Sequence, residues 1–229
     1  MSEWWTYRPS DFLMFSPRVY ERLIETHNMA LWPWQLVALG VVLAALGLAW
    51  AKRPADGRYA LAGFGLGLVW VAWSFLWGRY AGINWVAAYA APAFLIEGLG
   101  LVALAVLSKE PLLPLRREPA SILAAVLVLF AAFAYPLAAP LTGQPWRASE
   151  VAGVMPDPSA LATLGLVALV RSRAAVLALT PVPLLWSLYA AMTLRTLGAA
   201  EAWPMAGGIA LFLAAAAARM LGKRRTFGH

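Results

Sequence analysis

The residue types able to do chemistry are few, and one is conspicuous. Glu97 interrupts the apolar run YAAPAFLIEGLGLVALAVL at 89–107. On a helix it sits about 13 residues, roughly 20 Å, below one end and about 16 Å above the other. That is the depth of lipid tails, where a carboxylate must be protonated, paired or hydrated by a cavity. Ala90, Ala93 and Gly100 lie one or two turns away. Small residues admit a neighbouring helix, so Glu97 is expected to face the bundle interior. Two readings stay open at this point. One is a proton- or cation-linked site. The other is a neutral acid hydrogen-bonded to another helix, through Ser74, Ser187, Tyr135 or Tyr189.

Above Glu97, His27 and Asn28 mark an outer mouth, followed by Gln35. With Asn84 and Tyr89 they could line a polar vestibule, and the histidine pKa would suit a proton relay. A lone histidine at a helix end is also a common interfacial hydrogen-bonding residue. In MPDPS at 155–159, Asp157 can cap a helix with Pro158 at its first position. Alternatively this is a short or broken helix whose positive end meets a solute. The expected path residues are therefore Glu97, His27, Asn28, Gln35, Asn84, Tyr89 and Asp157.

Other chemistries are excluded or lack a motif. Absence of cysteine removes disulfides, thiolate metal sites and thiol catalysis. His27 and the terminal His229 are the only histidines, which argues against a bis-His haem. No HExxH or comparable metal cluster appears, and no nucleophile motif. A retinal Schiff base needs a lysine inside the last span. The lysines, Lys52, Lys109 and Lys223, all fall at boundaries. No catalytic residue, cofactor or metal is expected. The glycines of GFGLG at 63–67 lie within an apolar run, so they imply close helix packing and not a phosphate loop.

The elements that must position these residues follow from composition. The chain of 229 residues is 62% apolar and 13% charged, against roughly 25% charge in a soluble domain. An all-α polytopic membrane bundle is expected, with spans at 31–51, 59–78, 84–107, 119–141, 155–170, 174–194 and 203–222. The fifth is short: from Pro158 to Val170 a helix covers only roughly 20 Å. With the N-terminus outside and the C-terminus inside, twelve of the 18 Lys and Arg fall on the cytoplasmic side. Deleting the fifth span inverts that bias. The net charge of +7 is thus a topology signal beside anionic lipid, and nucleic acid is not an expected partner.

Residues 1–30 form an N-terminal segment, 31–222 the membrane domain, and 223–229 a basic cytoplasmic tail. The opening residues lack the basic n-region and apolar core of a signal peptide. In SPRVYERLIETHN, Ser16 can cap and Pro17 fits the first turn. Arg18, Glu21, Arg22 and Glu25 share one face, while Val19, Tyr20, Leu23 and Ile24 share the other. This predicts an amphipathic helix in the outer interface or folded over the bundle. Trp4, Trp5, Trp32, Trp34, Trp77, Trp85, Trp146 and Trp203 fall near outer boundaries and read as an aromatic belt. Pro33…Gly40 and Pro158…Gly165 share Pro, Leu, Leu and Gly; Trp73-Ser74 echoes Trp186-Ser187; and Trp85, Ala88, Phe94 and Leu95 match Trp203, Ala206, Phe212 and Leu213 in spacing. These would make a 3+1+3 arrangement of parallel repeats, in a composition where such coincidences also arise by chance.

The blocks WWTYRPSDFLMFSPRVYERLIETHNMALWPWQL, INW at 83–85 and MPDPSALATLGL at 155–166 resemble a family of bacterial multi-pass membrane proteins known only as a domain of unknown function. The resemblance spans nearly the whole chain. It implies a bacterial inner-membrane location and carries no activity or site. The leading functional expectation is a small-solute, ion or proton transporter or channel with Glu97 near its midpoint. A non-catalytic accessory protein holding a membrane partner, and a membrane enzyme acting on a lipid or quinone, are the alternatives.

Overall fold

The computed structural model describes residues 13–50, 56–108 and 118–226. The expectations attached to Trp4, Trp5, Lys52, Arg53, Lys109, Arg116, Arg117 and His229 lie outside the described residues.

Helix α1, Pro17–Leu31, starts with Pro17 in its first turn, but the Ser16 side chain makes no cap hydrogen bond. It turns by 84° into α2, Trp34–Trp50. Helix α3, Asp56–Val71, continues as a π-helical segment through Ala72–Trp77. A 3-10 turn at Tyr80–Gly82 leads to α4, Trp85–Leu107, where the Asn84 side chain accepts the Val86 amide as N-cap. Helix α5, Pro119–Leu129, passes through a π segment and a 3-10 turn into the short α6, Ala138–Leu141. Pro136 and Pro140 sit at this irregular end, where a missing amide cannot continue an α-helical ladder. Helices α7, Pro156–Leu169, α8, Arg173–Leu179, α9, Pro181–Leu197, and α10, Ala202–Thr226, complete the chain. Helix α10 runs on through residues 223–225.

Among the described residues the fold is all-helical, and the segments read as spans are mostly helix, with breaks at Trp32–Pro33 and at Thr180 between α8 and α9. Among the described residues five helical stretches are long and apolar enough to cross a membrane: Gly57–Gly82, Trp85–Leu107, Pro119–Leu141, Arg173–Leu197 and Ala202–Leu221. A sixth is reached if the bent pair of α1 and α2 counts as one.

Helix α7 explains its own shortness. It is 14 residues long, roughly 21 Å, and all but one of those residues are buried. A helix apolar on all sides belongs in a core, and α7 packs against α3, α5, α9 and α10. Gly165 makes this possible on the α5 side, since a Cβ there would stand 2.8 Å from the Ala124 carbonyl oxygen. At the far end, Arg219 of α10 donates to the carbonyls of Ala168 and Val170, at 3.0 and 2.9 Å. A cation thereby satisfies carbonyls that a helix C-terminus leaves open.

The glycine-driven approach expected for the 63–67 segment occurs through its middle member. A Cβ on Gly65 would stand 2.5 Å from the Gly98 carbonyl, and one on Gly98 equally close to the Gly65 carbonyl. This pins α3 to α4 beside Glu97. Gly63 and Gly67 face the other way and line an apolar groove between α2 and α3.

Candidate functional site

Helix α1 folds over the bundle. Its buried face is Tyr20, Ile24, His27 and Asn28, at helical spacing; Val19, expected on that face, is exposed. The cap is fastened to the connection between α6 and α7. Asn28 donates to the backbone oxygens of Arg147 and Ser149, each at 2.8 Å. Gln35 donates to the Asn28 backbone oxygen at 2.8 Å. On the exposed rim, Arg147 donates to Glu25 at 3.2 Å.

Beneath this cap lies a cluster of acids and phenols. Glu150 is 2% exposed and accepts the Tyr20 hydroxyl at 3.0 Å on one oxygen; its other oxygen has no partner. Asp157, also 2% exposed, accepts the Trp186 indole N–H at 2.8 Å. The Tyr135 hydroxyl, buried and without a partner, feels the negative charges of Glu150, Asp157 and Glu201. Tyr20, Tyr80, Phe75 and Trp186 form a continuous aromatic packing, with ring centroids 5.6–6.4 Å apart. Among the described residues no cation pairs with Glu150, Asp157 or Glu201. Burial pushes the Glu150 carboxyl well above the usual range; the nearby Asp157 and Glu201 add to the shift, and the Tyr20 hydroxyl opposes it. Glu201 is raised by burial and by Glu21, against the pull of its own backbone amide. An uncompensated buried charge is costly. The arrangement can therefore hold a proton, or a cation that enters from outside.

Glu201 is where the cluster comes nearest to solvent. With Glu21 and Gln144 it lines a cavity of about 280 Å³ between α1, the α6–α7 connection and the α9–α10 turn.

Glu97 is buried, 4% exposed, with one carboxyl oxygen unpartnered. None of the four partners anticipated for it makes that bond. Ser74 and Tyr135 have unpartnered hydroxyls, Ser187 donates to the Pro183 carbonyl, and Tyr189 accepts from Asn84 at 2.7 Å. An aromatic pair lies between Glu97 and the acid cluster. Trp186, holding Asp157, meets Phe94 edge-on at 5.4 Å, and Phe94 is one helical turn before Glu97.

The vestibule drawn from the sequence does not assemble. Tyr89 is 72% exposed on the outside of α4, stacked edge-on with Trp85. Asn84 is buried as the α4 cap. Asn28 and Gln35 meet each other, but as fasteners of the cap. His27 is buried edge-on against Phe75 with both ring nitrogens unpartnered. Burial holds its pKa down at about 4, with Arg79 adding to the shift. Asp157 belongs to the cluster, although not as the helix cap: α7 begins one residue earlier, after Met155, with Pro156 leading.

Sequence reasoning missed Glu150, Tyr20, Tyr80 and Glu201 as site residues, and assigned Tyr135 and Trp186 other parts. A signal existed in SEVAGVMPDP at 149–158. This stretch is apolar for a connection, has two acids and no base, and so points to burial. The tryptophans Trp32, Trp34, Trp77, Trp85, Trp146 and Trp203 are all exposed on the exterior, as a belt requires, whereas Trp186 is 5% exposed.

No curated protein and no solved structure matches the chain. A family model described as a family of unknown function, DUF6064, matches residues 18–225. That stretch runs from the first turn of the capping helix, through the acid cluster, to the end of α10, and by it this integral membrane chain belongs to the DUF6064 family.

Proposed function

We propose that this protein binds and passes a proton or small monovalent cation, with Glu150 and Asp157 as the outer station and Glu97 as the mid-membrane one. The observation that carries this reading is the pair of buried carboxyls, Glu150 and Asp157, without a cationic partner among the described residues. Buried charges are ordinarily paired or coordinate metals. Among the described residues no three His, Asp or Glu side chains are grouped to hold a metal ion, which favours a proton or a singly charged ion as the occupant. The cavity at Glu201 supplies the entrance, and Trp186 with Phe94 forms the barrier between the two stations. The accompanying topology is seven spans, N-out and C-in, in the bacterial inner membrane, with α7 as the short fifth crossing sheltered by its neighbours. A 3+1+3 repeat would place the stations between two three-helix units.

A second reading rests on a different feature. The groove between α2 and α3, about 690 Å³ and lined by Trp34, Val37, Val41, Gly63, Gly67 and Trp70, suits an accessory protein that accepts an apolar segment of a membrane partner.

Reconstitution into liposomes tests both. Under the first reading, a fluorescent pH probe or cation indicator reports flux, which Glu150→Gln and Asp157→Asn abolish and Glu97→Gln reduces. Absence of flux for protons, sodium and potassium refutes it. Under the second, Gly67→Leu leaves flux unchanged and removes a co-purifying partner. Flux lost in that variant, or no partner in the wild type, refutes the accessory role.

A further inference from the structure

The opposite end of the bundle carries a feature the acid cluster does not use. A trough of about 790 Å³ runs between the C-terminal turns of α4 and the start of α8. Its walls are Ala103, Leu104 and Leu107 on one side and Ala175, Ala178 and Leu179 on the other. It is closed toward the bundle centre where Gly100 meets Leu179; a Cβ on Gly100 would stand 3.0 Å from the leucine Cδ2. It opens toward Ser108, Arg171 and Ser172. The trough is therefore apolar along its length and polar and basic at its mouth.

Among the described residues the charge around that mouth is mostly basic, with Glu118 also near enough to act on Arg219. Arg171 is exposed. The Arg173 guanidinium lies near enough to Arg219 to act on it electrostatically, and Arg219 also donates to the Arg171 carbonyl at 3.3 Å, which fixes the turn. The Ser172 side chain accepts the Ala175 amide at 3.3 Å, leaving its hydroxyl proton to donate outward. Guanidinium and hydroxyl donors beside an apolar slot match a phosphodiester attached to a hydrocarbon chain.

We infer that this trough is a binding site for one anionic phospholipid, its acyl chain between α4 and α8 and its phosphate at Arg171, Ser172 and Ser108. The assignment needs only that these residues lie at headgroup level; it does not depend on the proton reading or on which face is cytoplasmic. The basic mouth selects the class of lipid, and the apolar walls select a lipid over a free phosphate. A zwitterionic lipid fits the trough equally well, but its headgroup ammonium offsets part of what its phosphate gains from the guanidinium.

Native mass spectrometry of the intact protein in mild detergent tests this, with phosphatidylglycerol and phosphatidylcholine of the same chains as probes. Phosphatidylglycerol is expected to be retained roughly fivefold better, the factor one basic residue brings at an anionic surface. Arg171→Gln should bring it down to the phosphatidylcholine level. Arg195→Gln, in the last turn of α9 at the other end of the molecule, should change nothing. Ala178→Phe, or Ala103→Phe on the facing wall, should lower retention of both lipids by filling the slot. Equal retention of the two lipids by the wild type overturns the proposal, as does undiminished preference in Arg171→Gln. Displacement of the lipid by free glycerol phosphate also overturns it, because the chain would then contribute nothing.

Discussion

Glu150→Gln is the substitution that most directly interrogates the outer cluster. In the folded protein one carboxyl oxygen accepts the Tyr20 hydroxyl and the other has no partner. Burial, reinforced by Asp157 and Glu201, raises its pKa. The unfolded chain has an ordinary glutamate near 4.3. The folded state thus holds a proton that the unfolded state releases. Its stabilising contribution is complete below the unfolded pKa and is lost as pH rises toward the folded one. While one proton is so linked, stability falls by about 1.4 kcal/mol per pH unit. For a chain of this size that is roughly 3–6 °C of melting temperature per unit. Glutamine keeps the shape and neutrality of the protonated acid, and its oxygen still accepts from Tyr20. The variant should therefore match the wild type below about pH 4 and exceed it increasingly as pH rises above that. The assay is thermal unfolding in one detergent across that range, read as the difference between the two proteins. Parallel curves would refute the reasoning, because they would mean that Glu150 ionises as readily in the fold as outside it.

His27→Gln should flatten the acid side of the same profile. Its pKa falls from 6.5 to about 4 on folding, so the wild type loses stability as pH drops through that window, and the variant should not. Trp186→Phe removes the hydrogen bond to Asp157 and should cost about 1–3 kcal/mol, measured by unfolding at fixed pH; an unchanged stability would show that Asp157 is hydrated there. Gly98→Val forces a side chain into the Gly65 carbonyl and should lower stability by about 1–3 kcal/mol, with flux falling alongside because Glu97 is the preceding residue.

The helices were legible because lipid is a simple solvent: runs of about 20 apolar residues between basic loops mark segments that satisfy their own backbone in hydrocarbon. The role of α7 was not. Hydropathy measures what a segment avoids, and water is absent both in lipid and inside protein. Leu161, Leu164 and Leu166 are buried by neighbouring helices, so their apolarity supports a central strut as well as it supports a span. Glu97 was legible as an interior acid because small residues flank it on α4. Its partner was not, because spacing along one helix says nothing of the facing one. Glu150 was hidden for a sharper reason. An acid in a connection is ordinarily solvated, and its burial comes from Tyr20, 130 positions away, on a helix whose fold-over the sequence left open. The expected vestibule failed at Tyr89 because a tyrosine near a helix start serves an outer aromatic rim as readily as a polar mouth.

The cap and the acid are bound by a thermodynamic identity. Ionising Glu150 beneath a closed α1 is unfavourable, so opening α1 must be favoured by ionising Glu150, and by the same free energy. Among the described residues five hydrogen bonds hold the cap from the α6–α7 connection: Tyr20 to Glu150, Asn28 to the backbone of Arg147 and Ser149, Arg147 to Glu25, and Gln144 to Glu21. Only the first involves a buried titrating group. Raising pH should therefore loosen α1 while leaving α7, which contributes no cap bond, protected. Hydrogen–deuterium exchange, corrected for the intrinsic rise of the rate with pH, reads this directly. The α1 amides from 20 to 28 should lose protection as pH rises above the ordinary glutamate range in the wild type and keep it in Glu150→Gln. Equal loss in both would place the pH response elsewhere and detach the cap from the acid it covers. Loss in α7 as well would mean that the bundle opens as one unit, with no separate outer station to be gated.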